Sequence, residues 1–91
     1  MLNQVVLVGR IKEMHEGEII ISIPRNYKNK DGKYDNDLIT VFIRGQLNDT
    51  VQDYCSIEDI IAVKGRVTVE KGNTIIVAEK VTFLSNTKRK D

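Results

Sequence analysis

Ninety-one residues, 41% of them hydrophobic, with a formal net charge of +1, make one small domain near the lower limit of what folds without a covalent staple. The single cysteine excludes an internal disulfide and an all-cysteine metal site, and fits a reducing cytoplasm better than secretion. No stretch approaches the ~20 apolar residues of a membrane helix, and the N-terminal apolar run is too short and too β-branched for a signal peptide.

Residues 3–13 read as a strand. Val5, Leu7 and Ile11 point one way, Val6 and Val8 the other, and Gly9 permits a sharp bend. A domain this small buries only one such face, so Gln4, Val6 and Val8 are expected to meet a second copy of the chain. Glu16-Gly17 mark a turn. Ile19, Ile21 and Ile23 then form the inward row of a second strand, which Pro24 is expected to stop. Residues 25–37 read as a polar loop with a turn signal at Asp31-Gly32. Over residues 38–44 the alternation is clean, with Ile39, Val41 and Ile43 on one face and Leu38, Thr40, Phe42 and Arg44 on the other.

After Gly45 the period changes. Leu47, Val51 and Tyr54 recur at helical spacing, with Asn48 or Asp49 able to cap the start. Two long strands follow, residues 60–70 and 74–84, joined by a tight hairpin at Lys71-Gly72-Asn73. Five strands with a helix between the third and fourth is the order of an all-β Greek-key barrel, the OB-fold, expected over residues 1–85. Residues 86–91 read as a short basic flexible tail.

Residues that could do covalent chemistry are sparse. His15 stands beside Glu13 and Glu16, the setting of a solvated surface imidazole, and Cys55 reads as a small packing residue at the helix end. No Gly-rich phosphate loop, paired-cysteine motif or Gly-x-Ser-x-Gly occurs, so neither catalysis nor a metal or cofactor is expected. Binding fits better. Arg25, Lys28, Lys30 and Lys33 cluster in the polar loop, interleaved with Tyr27 and Tyr34, whereas every charge between Gln46 and Ile60 is acidic. Flat rings among cations suit single-stranded nucleic acid, whose bases stack and whose phosphates follow positive charge. Phe42 has polar neighbours on its face and can offer a third ring, while Tyr54 and Phe83 have inward periodicity and are expected in the core.

Four segments in this order resemble one family. The opening Met1-Leu2-Asn3-Gln4-Val5-Val6-Leu7-Val8-Gly9-Arg10, the run Asp37–Gly45, the run Val63-Lys64-Gly65-Arg66-Val67 and the run Val77–Leu84 are similar to the strands of bacterial single-stranded DNA-binding proteins. The resemblance implies the same barrel, homodimers or homotetramers built near the first strand, and a nucleoid-associated, cytoplasmic protein without catalytic activity. It implies sequence-independent binding of single-stranded DNA, with RNA left open, through Arg25, Tyr27, Lys28, Lys30, Lys33, Tyr34, Leu38, Thr40, Phe42, Arg44 and Arg66. Tyr27 matches the family's loop aromatic. Leu38 and Arg44 stand where third-strand aromatics are usual, and the hairpin at Lys71-Gly72-Asn73 is shortened. The basic tail implies no partner that depends on the family's acidic tip. Primosome-type accessory proteins that bridge DNA and a replication protein, and a protein-binding adaptor on the same barrel, are the alternatives.

Overall fold

The computed structural model describes residues 1–85; the expected tail over 86–91 lies outside them. Alternating apolar residues produce β1 (Val5–His15), β2 (Glu18–Lys28) and β3 (Tyr34–Phe42). Helix α1 (Gln46–Tyr54) follows, then β4 (Ile60–Glu70) and β5 (Asn73–Phe83). The strands close in the order β1-β2-β3-β5-β4, antiparallel except for a short parallel contact of β3 with β5 at Val41–Ile76 and Phe42–Val77. This is the five-stranded OB-fold with its helix between β3 and β4. Among the described residues no helix is long and apolar enough to cross a membrane.

One strand serves two neighbours. Val5 to Arg10 pair with β4, and Arg10 to His15 pair with β2, with a bulge between Ile11 and Glu13. Gly9 makes the crossing possible: a Cβ there would lie 2.7 Å from the Ser22 carbonyl oxygen and 2.9 Å from the Ile23 side chain. The core is the inward row of the barrel, Ile11, Ile19, Ile21, Val41, Ile43, Ile61 and Val63, all at most 1% exposed. Val51 and Cys55 of the helix region plug one end, Cys55 as the packing residue expected.

Several local expectations change. Pro24 does not stop β2: it sits opposite Asn36, and a register shift between Pro24 and Lys28 absorbs the missing amide. The supposed loop is therefore mostly a hairpin arm whose turn is confined to residues 29–33. Asn29 organises that turn, its Oδ1 accepting the amides of Asp31 and Lys33 while Gly32 takes φ 77. The helix cap is Gly45 at φ 65, with no side-chain cap. Asn48 instead accepts the Gly17 amide at 3.1 Å, tying α1 to the β1–β2 turn. Tyr54 is 57% exposed, not in the core; its ring leans 6.2 Å from the half-buried Phe83.

Candidate nucleic-acid interface

Every second residue of β3 faces outward, and the row Tyr34, Asn36, Leu38, Thr40, Phe42 spans about 27 Å at ~3.4 Å per residue. Exposure falls along it. Tyr34 and Leu38 are 54% and 65% exposed. Thr40 and Phe42 are half-buried, opposite Ile20 and Glu18 of β2. Phe42 also faces Val77 across the barrel seam, so part of its ring is already covered. Tyr27, on the exposed end of β2, is 60% exposed. The hairpin arm has no core to fill at its tip: Pro24 to Lys28 and Tyr34 to Asn36 are all exposed. The structure thus gathers Tyr27, Tyr34 and Leu38 on one arm, with Phe42 at its base.

The charges on this surface are less free than the sequence suggests. Arg25 donates from Nε and Nη2 to Asp37 Oδ1 at 3.1 and 2.9 Å, with Asp35 at 4.0 Å. The Arg25 hydrogen bond holds the Asp37 carboxyl below its usual range, and Asp37 in turn raises the Arg25 guanidinium. Arg44 lies just past β3 and grips both carboxylate oxygens of Glu70 at 2.8 and 2.7 Å. Lys28 rests 5.9 Å from the Tyr34 ring centroid, a cation–π approach that stiffens the ring. With Asp31, Asp35 and Asp37 among its four cations, the arm is close to neutral.

The unclaimed cations are elsewhere as well as at the tip. Lys30 and Lys33 are exposed at the turn, and Lys64, Arg66 and Lys80 on the outside of β4 and β5. Among the described residues none of these five side chains has an ion-pair partner. Lys64 and Lys80 are direct cross-strand neighbours, a pairing that residue spacing alone does not reveal. Within the acidic stretch Glu58 is paired with Arg10 and Lys12, Asp59 is buried, and Asp49 and Asp53 stay exposed on α1. His15 bonds Glu13 at 3.1 Å, and the described residues contain no cluster that could hold a metal.

The residues expected at a self-association face are exposed in the single chain. Val6 and Val8 are 66% and 49% exposed on the outside of β1, and Gln4 is exposed just before the strand. Asn3 does something the sequence does not announce. Its side-chain amide donates to the Val67 carbonyl at 2.6 Å and its oxygen accepts the Val67 amide at 2.8 Å, extending the β1–β4 ladder beyond the strand.

No protein-family model matches the chain. Curated sequences do. It is 25% identical over 81 residues to the single-stranded DNA-binding protein 1 of one Streptococcus pyogenes strain, covering 78% of this chain and 62% of that protein. Against the namesake from a second strain it is 26% identical over 96 residues, covering 89% and 74%. The chain is thus similar in sequence to bacterial single-stranded DNA-binding proteins. The chain spans about 62% of the length of the first of them. Solved structures carry the same barrel. A small single-stranded DNA-binding protein from Mycoplasma pneumoniae superposes with TM-score 0.63 at 20% identity over 100% of both chains. The Plasmodium falciparum protein, solved in complex with single-stranded DNA, superposes with TM-score 0.70 at 15% identity over 93% and 96%.

Proposed function

We propose that this protein binds single-stranded DNA without reading its sequence, in replication, recombination or repair, and that it does so as a homo-oligomer and without catalysis. The carrying observation is the exposed arm: Tyr27, Tyr34 and Leu38 are each more than half exposed, on the barrel type that the curated relatives' similarity predicts. Rings and an apolar side chain in that position have no interior to pack into, and stacking of bases is what such surfaces do well because every base has a π-face. Lys28, Lys30 and Lys33 on the arm and Arg66 on β4 supply phosphate contacts, with Thr40 a hydrogen-bonding hydroxyl within the row. Arg25 and Arg44 frame the row from inside ion pairs.

A platform with three principal contacts and a nearly neutral arm predicts weaker binding than a fully aromatic one. Titration with oligo-dT at two salt concentrations tests the reading. The expected result is saturable binding that weakens as salt rises, because released counterions drive the association. Absence of binding at low salt would leave the barrel as a protein-binding adaptor.

A further inference from the structure

Beyond Gly9, β1 carries Arg10 and Lys12 on its exposed side, flanking the buried Ile11. The Ile11 amide donates to the Asp59 carbonyl at 2.9 Å, and the Ile11 carbonyl accepts the Glu58 amide at 2.8 Å. Two backbone bonds thus press residues 58–59 against β1 where the two cations emerge. Glu58 adopts φ 79, a left-handed conformation uncommon for a residue with a Cβ. In that conformation its carboxylate meets both cations: Lys12 Nζ lies 2.8 Å from Oε1, and Arg10 Nε 3.8 Å from Oε2. Arg10 Nη1 also donates to the Glu58 carbonyl at 3.0 Å. The Lys12 hydrogen bond holds the Glu58 carboxyl below its usual range.

Beside this pair opens a depression of about 430 Å³, walled by Val8, Ser22, Pro24 and Ile60 with Arg10 and Lys12 at its edge. Asn36 of the outward β3 row also lines it, and Ser22 pairs with Arg10 on one side and Leu38 on the other, so the depression reaches that row. All three charged side chains are about half exposed, and exposed ion pairs are weak. A phosphodiester can therefore replace the carboxylate.

We propose that Arg10 and Lys12 form a phosphate-binding subsite for a nucleic-acid strand, and that Glu58 occupies it in the free protein as a built-in stand-in for that phosphate. The inference rests on the single-strand reading of the β3 row and extends the path from Leu38 across β2 to β1. Val8 and Ile60 give a base or sugar an apolar wall, while the two cations hold the adjoining phosphate. The carboxylate lowers affinity for anions in general, so the site favours a ligand whose other contacts are made on the β3 row.

Two probes test this on the full chain: inorganic pyrophosphate, followed by NMR at the backbone amides of Val8, Ser22 and Ile60 that line the depression, and oligo-dT at a series of salt concentrations. Glu58→Gln should tighten both by about three- to five-fold, the span of an exposed ion pair. Glu58→Gly should do the same while suiting the left-handed backbone. Arg10→Gln with Lys12→Gln should abolish the pyrophosphate response, weaken oligo-dT several-fold and reduce the salt slope by about 1.4, the share of two phosphate contacts on a single strand. A pyrophosphate response that Glu58→Gln leaves unchanged overturns the subsite whatever oligo-dT does. A pyrophosphate response enhanced by Glu58→Gln in a protein that ignores oligo-dT supports the subsite and sinks the single-strand reading instead.

Discussion

Arg25 and Arg44 are each held by a carboxylate of the same molecule, whereas among the described residues Lys30 and Lys33 are not. A phosphate must compete for the arginines and meets the lysines directly. Neutralising Lys30 and Lys33 together should flatten the salt dependence of oligo-dT binding by about two contacts, while Arg44→Gln should leave that slope nearly unchanged. The aromatics divide in the same way. Tyr27 is free to stack, so Tyr27→Ala should weaken binding about five-fold or more, within the ~1–3 kcal/mol of a stacked base. Phe42 is half-buried against the seam, so Phe42→Ala should lower stability as well as affinity, which parallel denaturation and binding curves would separate. The acid side of the ion pairs has its own signature. Asp37 is depressed in the folded chain, so its contribution is present above the unfolded carboxylate value and lost as pH falls through the folded one. Asp37→Asn should remove that part of the acid-side slope, measured by denaturation at a series of pH values.

At the scale of elements, the periodicity of the chain made β1, β4, β5 and the short helix legible, because alternation and helical spacing both register burial directly. The inward rows Ile19–Ile21 and Val41–Ile43 are buried as their spacing requires. What escaped was anything set by a partner distant in sequence. A proline removes one ladder donor and by local rules ends a strand, yet a bulge lets β2 run on to Lys28. Tyr54 continued the helical stripe by spacing, but α1 ends there and its ring lies at the rim. The outward row of β3 was visible in the sequence; which of its cations were already paired was not, since Arg44 and Glu70 are 26 residues apart. Asn3 is a similar case, reaching Val67 across 64 residues. Asn3→Ala removes both of its bonds to the Val67 backbone, and should destabilise the domain by about 1–2 kcal/mol in urea denaturation. The β4–β5 turn follows local rules, with Lys71 and Gly72 at φ 52 and 81, the pair of positive values that a two-residue hairpin needs.

The whole molecule leaves one strand segment half satisfied. From Val5 to Gly9, β1 is paired with β4 on one edge, while its pairing with β2 begins only at Arg10. Among the described residues no strand pairs with the other edge, which lies beside the exposed Val6 and Val8, the combination that invites a second strand. A two-fold pairing of β1 with its own copy would satisfy that edge and bring the valines of both chains together. Further assembly through the outer face of β1, β4 and β5 meets an obstacle. Val6 stands next to Lys64, and Lys64 next to Lys80, so stacking two such faces would gather unpaired lysines. Like charges opposed in this way repel, and salt screens the repulsion within about 10 Å at 0.1 M. The protein should therefore sediment as a homodimer at micromolar concentration and low salt, with any tetramer favoured by rising salt or by Lys64→Gln with Lys80→Gln. Val6→Asp with Val8→Asp should give monomers that keep the barrel's circular-dichroism spectrum. A parent protein that sediments as a monomer at low salt would refute the β1 pairing, and a tetramer there that salt does not affect would refute the role given to the lysines.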